Sequence, residues 1–389
     1  MINKKKSYNE KLKVILISHA YIPNENQKNL SFLAKNVDLK AIVHQWHPNL
    51  RTKEGRILYG RTSIKDLSLI VWVRPFYIKG QGILCPFGRI LRSHNPDVIN
   101  LEYAPWSPLT IETLALAKIY APRAKIVLFV KKNTYIPKPF ILEKVKLYLR
   151  KVIDKKISAY IATSRMTKNM YIDLLGIRPN KIYVCNHMGV DLELFSPVND
   201  RPEDNTGTVV IYCGTLHSKK GVVELVEAVR RLVVQKRLLV QLRLVGEGPL
   251  RAKLEYETRN SSWLRVEGPV PHRQVATFLR KSAVFAFPSR NETDHQEHDA
   301  HALMEAMAVG LPAVTTKSGI IPEITDKQAA FFVQENSPGQ IAERVAQLVI
   351  SPELRKKMGC HARLLAVKHF GLATLAHKKT DIYKEICDG

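Results

Sequence analysis

At 389 residues the chain is long enough for two domains, and its hydrophobic content of 45% is typical of a folded protein. No apolar run approaches the roughly 18 residues of a spanning helix, and the N-terminal run is too short for a signal peptide, so we expect a cytoplasmic protein. Five widely spaced cysteines argue against a disulfide framework, and the net charge of +25 predicts a polyanionic partner.

The first half of the chain alternates strand-like and helix-like segments. The strand-like runs are 12–18, 40–44, 70–73, 97–101 and 126–130, and helical patterns lie at 29–36 and 108–119. This alternation predicts an α/β fold with a doubly wound parallel sheet, in which ligands bind beyond the carboxyl ends of the strands. His19, Glu102 and the segment Lys131-Lys132-Asn133 follow such strands.

Residues 139–159 form a basic amphipathic pattern, with apolar side chains at helical spacing and lysines and arginines between them. They belong to a strongly basic half: residues 1–196 hold 33 Lys/Arg and 13 Asp/Glu, a net of +20, against +5 for the remainder. A helix of this kind can lie on an anionic membrane surface, or cover the sheet with its basic face in solvent. The basic residues are not interleaved with aromatics as in RNA-binding motifs, so we expect no nucleic acid partner.

The second half begins after a polar linker at 198–207 and repeats the strand-helix rhythm. Its strand-like runs are 209–213, 241–245, 264–266 and 284–289, and its first helical pattern is 222–234. Glycine-containing turns follow these strands, notably Gly214 to Gly221, which includes Thr215, Lys219 and Lys220. The pattern predicts a second doubly wound domain.

Two acids, Glu297 and Glu305, flank the start of a short helix predicted at 302–308, with Asp299 as its N-cap. Free N–H groups at such a helix start suit a diphosphate, and an acid on either side can accept sugar hydroxyls. An ordinary surface helix with scattered acids fits this stretch equally. No spacing typical of a metal site is present, and we assign none.

The second half resembles, segment by segment, the donor-binding domain of the retaining glycosyltransferases of family 4. The matching motifs are Gly189-Val190-Asp191, Gly214 with Lys220-Gly221, Val245-Gly246-Glu247-Gly248-Pro249, Gly268-Pro269-Val270-Pro271, Pro288-Ser289, and the two acids followed by Ala306-Met307-Ala308. The chain departs from the family at His298-Asp299-Ala300, where the family usually has Gly, an apolar residue and Gly or Pro, and at Thr215, where the family has an arginine.

The resemblance implies the GT-B fold, with two Rossmann-like domains facing across a cleft. Residues 1–197 would bind the acceptor, and residues 198–368 would bind a nucleotide sugar. Residues 369–389 would form a helix that crosses back to the first domain.

The resemblance also implies an activity: transfer of a sugar from a UDP- or GDP-sugar to a glycan or lipid-linked acceptor, in envelope polysaccharide or glycolipid synthesis. The donor is a substrate, and no cofactor is implied. Glu305 would hold the ribose, Glu297 the donor sugar and Lys220 the diphosphate. The further implied site residues are Gly214, Thr215, Lys219 and Leu303 on the donor side, and His19 and Asn133 on the acceptor side. The competing hypothesis is a catalytically degenerate protein that binds an anionic polymer or nucleic acid.

Overall fold

The computed structural model places most of the chain in two compact units. The described residues are 10–51, 57–59, 69–73, 75–78, 81–84, 87–131, 152–198, 207–259, 261–293 and 295–389. The N-terminal unit holds the described residues up to Met188 together with Leu372–Gly389, and the C-terminal unit is Gly189–Gly371. The division into domains after residues 197 and 368 stays a prediction.

The N-terminal unit is built on a seven-stranded sheet in which every strand pair is parallel. The strands of this unit are β1 (Lys13–Ile17), β2 (Asp38–His44), β3 (Trp46–Arg51), β4 (Ile57–Tyr59), β5 (Ile70–Val73), β6 (Pro75–Ile78), β7 (Gln81–Leu84), β8 (Val98–Leu101), β9 (Lys125–Val130), β10 (Ala159–Ala162) and β11 (Ile182–Val184). The strand order in the sheet is β11-β10-β9-β8-β1-β2-β5. The pairs β3–β4 and β6–β7 are small antiparallel sheets that the sequence did not lead us to expect.

Strand β1 explains why this sheet forms. Val14 and Leu16 pack into one hydrophobic core, while Ile15 and Ile17 pack into a second core, and all four side chains are fully buried. A parallel strand covered on both faces needs apolar residues at every position, because alternate side chains point to opposite faces. The uninterrupted apolar run therefore specifies a central strand.

Helices between the strands of this unit include α1 (Gln27–Ala34), α2 (Gly88–His94), α3 (Pro108–Tyr120) and α4 (Arg165–Leu175). Helix α3 begins where Ser107 Oγ accepts a hydrogen bond from the Thr110 N–H (3.2 Å) and proline occupies its first position. Helix α4 ends at Gly176, which adopts a left-handed φ of +63°.

The C-terminal unit has a six-stranded sheet, again parallel throughout. Its strands are β12 (Thr208–Cys213), β13 (Val240–Val245), β14 (Leu264–Gly268), β15 (Val284–Phe287), β16 (Ala313–Thr315) and β17 (Ala330–Phe332), in the order β14-β13-β12-β15-β16-β17. The helices of this unit are α5 (Val222–Val234), α6 (Arg251–Thr258), α7 (His272–Arg280), α8 (His301–Ala308), α9 (Ile321–Ile324), α10 (Pro338–Ile350) and α11 (Pro352–His369). The prediction of two Rossmann-like α/β units with parallel sheets is thus confirmed.

The C-terminal helix begins later than the pattern suggested. Helix α11 ends at His369, and α12 (Leu372–Asp388) starts only after a break, so the predicted start at residue 369 is wrong. The break is held by Val190, whose N–H donates to the carbonyl of Phe370 at 2.7 Å. Helix α12 belongs to the N-terminal unit, where Tyr383 is fully buried and receives a hydrogen bond from Asn100 Nδ2 (3.0 Å). Among the described helices, none has the length and apolar character needed to span a bilayer.

Candidate functional site

Glu297 is the centre of a tightly held cluster in the loop that leads from β15 to α8. Its carboxylate is 6% exposed and accepts hydrogen bonds from Lys220 Nζ at 2.5 Å and from Ser289 Oγ. Its backbone is held as well, because its N–H donates to Ser318 Oγ (3.3 Å) and its carbonyl accepts from the Ile320 N–H (2.8 Å). The structure thus brings together Glu297 and Lys220, which the sequence placed 77 positions apart.

Two glycines permit this close approach. A Cβ on Gly319 would lie 1.8 Å from the carbonyl oxygen of Glu297, and one on Gly221 would lie 2.0 Å from that of Pro288. Both residues also have left-handed φ angles, +50° and +69°, which glycine adopts without strain. The loop before α5 and the loop after β15 can therefore pack backbone against backbone.

Lys220 ends a single turn of 3-10 helix, Ser218–Lys220, whose start is capped by a side chain. His217 Nδ1 accepts a hydrogen bond from the Lys219 N–H at 3.1 Å. The ammonium group of Lys219 lies 3.6 Å from Glu292 Oε2, so the two adjacent lysines contact different carboxylates.

A third basic group, His295, stands beside this pair, with Nε2 3.9 Å from Glu297 Oε1. Burial, followed by the positive charge of Lys220, lowers the pKa of His295 below its ordinary value. The sequence alone assigns His295 no role, because histidines and acids are dense around it without the spacing of a metal site.

Arg290, next to Ser289, is held by three side-chain acceptors. Its guanidinium donates to Glu224 Oε1 (3.1 Å), Asn336 Oδ1 (2.6 Å) and Glu292 Oε1 (3.3 Å). These acceptors hold the side chain in a structural role next to Ser289.

Glu305, one turn into α8, is the second buried acid, and its carboxylate contacts two imidazoles. His272 Nε2 lies 2.5 Å and His301 Nε2 lies 3.4 Å from Glu305 Oε1. The ring of His272 packs against Phe195 with centroids 5.2 Å apart. Sequence spacing could not reveal His272, because it belongs to α7, a different helix.

The start of α8 differs from the prediction. The N-cap is Ala300 and not Asp299, no side chain caps the helix, and the first helical residue is His301. Ala300 adopts a left-handed φ of +41°, a conformation that favours glycine. Leu303 is fully buried in the core, and its N–H donates to the Ala300 carbonyl (3.0 Å), so it supports the helix and presents no polar group.

Gly214 and Thr215 form the loop after β12. The Gly214 N–H donates to the Val245 carbonyl (3.0 Å), and a Cβ on Gly246 would lie 1.8 Å from the Gly214 carbonyl oxygen. Thr215 is exposed, and its carbonyl accepts from the Tyr212 hydroxyl at 2.8 Å. The two glycine-containing turns thus pack together at the carboxyl ends of β12 and β13.

The N-terminal unit has its own buried polar cluster around Glu102, which follows β8. Glu102 accepts from the Tyr21 hydroxyl (3.2 Å) and pairs with His187 Nε2 at 2.7 Å. Burial raises the pKa of Glu102, but His187, Lys379 and Lys131 outweigh burial and hold that pKa well below its usual range. Burial lowers the pKa of His187.

His19, the predicted acceptor-side residue, follows β1 and lies among aromatic rings. Its ring centroid is 5.2 Å from that of Tyr103 and 6.5 Å from that of His44. Lys131 is half-buried at the end of β9. Lys132 and Asn133 lie outside the described residues, as do residues 139–151 of the basic amphipathic segment.

The C-terminal unit holds the buried carboxylates of Glu297 and Glu305, and the ammonium group of Lys220 contacts the first of them. The imidazole of His295 lies beside Glu297, and those of His272 and His301 lie beside Glu305. Carboxylates can accept hydrogen bonds from sugar hydroxyls, and an ammonium group can neutralise a phosphate. Among the described residues, His272, His301 and Glu305 are also close enough to share a metal ion.

Residues 198–365 match the family model for glycosyl transferases group 1. A putative colanic acid biosynthesis glycosyltransferase, WcaL, from Escherichia coli is 33% identical over 177 residues, which are 43% of this chain and 42% of that protein. The MMP alpha-(1->4)-mannosyltransferase of Mycolicibacterium hassiacum is 24% identical over 61% of this chain and 56% of that protein. The matched segments span 42% to 63% of the length of the first three such relatives.

Solved structures match nearly the whole chain. A glycosyltransferase from Rickettsia africae aligns with a TM-score of 0.70 at 18% identity, covering 97% of this chain and 99% of its own. Anabaena Alr3699/HepE in complex with UDP also gives 0.70, at 16% identity, covering 96% and 100%. These likenesses confirm the fold predicted from the motifs. The chain has the fold of these GT-B structures, and its residues 198–365 match the model of glycosyl transferases group 1.

Proposed function

We propose that this protein is a retaining glycosyltransferase of family 4. It moves a sugar from a UDP- or GDP-sugar to a glycan or lipid-linked acceptor, in the synthesis of envelope polysaccharide or glycolipid. The observation that carries the proposal is the buried contact between Lys220 and Glu297, two residues that the family motif assigns to the donor and that belong to separate loops of one unit.

Lys220 supports the departure of the nucleoside diphosphate. The Lys220 side chain is 20% exposed, so a diphosphate can reach its ammonium group and compete with Glu297 for this positive charge. Negative charge on the leaving diphosphate grows as its bond to the sugar breaks. A fixed cation therefore stabilises the transition state more than the ground state. Lys219 is the neighbouring cation available for the position where Thr215 replaces the family's arginine.

Glu305 accepts the ribose hydroxyls, and Glu297 contacts the donor sugar. In the proposed front-face reaction the bond from the anomeric carbon to the phosphate oxygen breaks while a bond to the acceptor oxygen forms on the same face. The acceptor proton passes to the leaving phosphate. Gly214 has no side chain to keep the diphosphate away from the backbone of this loop.

The names of similar proteins support a nucleotide-sugar donor. Anabaena Alr3699/HepE has been solved with UDP, with UDP and glucose, and with UDP-glucose. The sequence relatives include a capsular polysaccharide biosynthesis glycosyltransferase, CapM, of Staphylococcus aureus and a GDP-mannose-dependent mannosyltransferase of Mycobacterium tuberculosis. We propose the N-terminal unit, with His19 and Asn133, as the acceptor side.

Release of nucleoside diphosphate from a panel of donors tests the activity. UDP-glucose, UDP-galactose, UDP-N-acetylglucosamine and GDP-mannose are incubated without acceptor, and proton NMR records which anomer of the free sugar forms first. We expect slow hydrolysis of at least one donor with the α-anomer first, as retention requires. Lys220→Ala serves as the control for contaminating enzymes, because its hydrolysis should be slower, whereas hydrolysis by a contaminant would be unchanged.

The same samples address the competing hypothesis. If the folded protein hydrolyses no donor and instead binds nucleic acid or an anionic polysaccharide in a salt-sensitive manner, the protein is a binding module. Release of the β-anomer first would leave a glycosyltransferase but contradict the retaining mechanism.

We also propose that the basic half docks on the cytoplasmic face of a membrane, where a lipid-linked acceptor would be reached. Each lysine or arginine near an anionic surface contributes on the order of 1 kcal/mol, and salt screens this attraction. We expect sedimentation with vesicles that contain anionic phospholipid at low salt. The fourfold variant with Lys144, Arg150, Lys151 and Lys155 changed to Glu should stay in the supernatant while still binding nucleotide. Failure of the unmodified protein to sediment would contradict membrane docking.

A further inference from the structure

Three potential metal ligands meet beside α8. Nε2 of His272, Nε2 of His301 and a carboxylate oxygen of Glu305 all lie within 4.8 Å of one another. His272 and His301 are the first residues of α7 and α8, and Glu305 follows one turn into α8. The carboxylate is 5% exposed, while the two imidazoles are 30% and 32% exposed, so the group is open to solvent on one side.

We propose that His272, His301 and Glu305 form a binding site for a divalent cation of the zinc type. Two imidazole nitrogens and one carboxylate oxygen, with a fourth position left to water, are a donor set typical of zinc. Ligand atoms of a tetrahedral zinc ion lie roughly 3.3 Å from one another, given bond lengths of about 2.0–2.1 Å. The distances from Glu305 Oε1, 2.5 Å to His272 and 3.4 Å to His301, lie on either side of that value. Small side-chain rotations therefore suffice to close the site.

The donor set also predicts which cations bind. Imidazole suits zinc, cobalt, nickel and copper, whereas magnesium and calcium prefer oxygen ligands in larger number. The site should thus bind Zn²⁺ and Co²⁺ but not Mg²⁺. In the structure, His272 Nε2 is hydrogen-bonded to Glu305 Oε1, and His301 Nε2 contacts the same oxygen at 3.4 Å.

The site has a consequence for the donor, and this part rests on the proposed function. If Glu305 holds the ribose, a zinc ion bound to its carboxylate occupies the same acceptor oxygens. Zinc and nucleotide would then compete, and zinc would act as an inhibitor rather than as a cofactor. Zinc binding itself needs no nucleotide, so the metal site and the assignment of Glu305 to the ribose can fail separately.

Isothermal titration of the full-length, metal-free protein with Zn²⁺ at pH 7.5 tests the site, with Mg²⁺ as the comparison. Visible absorption of bound Co²⁺ then reports whether the coordination is tetrahedral. We expect His272→Gln and His301→Gln each to weaken Zn²⁺ affinity at least about tenfold. The matched control is His361→Gln, which should leave the affinity unchanged, because His361 pairs with Asp326 (3.0 Å) and is not one of the three proposed ligands.

The outcomes separate cleanly. The proposed site is overturned if the unmodified protein binds no Zn²⁺, or if all three histidine variants bind Zn²⁺ with equal affinity. Thermal unfolding without metal verifies that each variant is folded. Addition of UDP or GDP is the last step. If zinc binds through both histidines but nucleotide does not weaken it, the metal site stands and the assignment of Glu305 to the ribose fails.

Discussion

Lys220 and Glu297 form an ion pair in which Lys220 Nζ lies 2.5 Å from Glu297 Oε1, and Ser289 donates to the same oxygen. The Glu297 side chain is 6% exposed and the Lys220 side chain is 20% exposed. Solvent therefore reaches the lysine more easily than the acid. A phosphate group that arrives from solvent would therefore meet the ammonium group first. Because Lys219 contacts Glu292 and Lys220 contacts Glu297, we expect different roles for the two lysines.

Lys220→Ala should lower the turnover number more than it raises the Michaelis constant for the donor. The reason is that the charge on the diphosphate, and hence its attraction to Lys220, is greatest as the bond to the sugar breaks. Steady-state rates of donor hydrolysis measure both constants. The matched variant is Lys219→Ala, whose ammonium group lies 3.6 Å from Glu292, and its effect on turnover should be smaller.

Two results would count against this assignment. A Lys220→Ala protein changed only in the Michaelis constant would make Lys220 a residue of simple binding. A larger loss of turnover in Lys219→Ala would make Lys219 the principal phosphate contact, in place of the missing arginine at Thr215.

Ala300→Gly should raise the free energy of unfolding by about 0.5–1 kcal/mol, because Ala300 holds a left-handed φ of +41° that glycine adopts without strain. The control is Ala302→Gly, two residues further on inside α8, where glycine should instead lower stability by about 0.5–1 kcal/mol. Urea unfolding of both variants gives the comparison. Equal destabilisation by the two substitutions would show that Ala300 is not strained.

The sequence predicted the sheets well, because buried parallel strands are nearly continuous apolar runs. The pattern at residues 70–73 and the helix at 222–234 coincide with β5 (Ile70–Val73) and α5 (Val222–Val234). The antiparallel pair of β6 and β7 was not predicted, because two strands of four residues are too short to show a strong periodicity. The start of α12 was missed because α11 and the break at Phe370 continue an apolar pattern.

Residues of the candidate site could be predicted from the sequence only where they belong to a family motif. Glu297, Glu305 and Lys220 follow from the resemblance, but their partners come from distant segments that sequence spacing cannot bring together. His272 approaches Glu305 from α7, and His187 approaches Glu102 from beyond β11. Asp299 was chosen as the N-cap from residue preference, whereas the backbone uses Ala300.

His187 should make the stability of the protein fall in mild acid. Burial lowers the pKa of His187 below its ordinary value of 6.5, so the unfolded state binds a proton at a pH where folded His187 does not. The free energy of unfolding should therefore fall as the pH drops from about 7 to about 5. Glu102 stays ionised over this range, because its own pKa is held well below the usual value.

Comparison of variants isolates this effect from the other histidines. In His187→Gln the amide can still donate to Glu102, but the titrating group is gone, so the difference in unfolding free energy between pH 7.5 and pH 5 should be smaller. His94→Gln, in the same unit, should retain the difference seen in the unmodified protein. An unchanged pH dependence in His187→Gln would contradict a neutral, buried His187.

Titration of the unmodified protein, Glu305→Gln and Glu343→Gln with UDP and GDP tests the central claim, that the C-terminal unit binds the nucleotide of a sugar donor through Glu305. We expect one of the two nucleotides to bind, and Glu305→Gln to weaken it by about 1–3 kcal/mol, because a charged acceptor of ribose hydroxyls is lost. Glu343 lies exposed on α10 of the same unit, and Glu343→Gln should bind as tightly as the unmodified protein. Equal affinity in a folded Glu305→Gln protein, or no binding of either nucleotide by the unmodified protein, would contradict the claim.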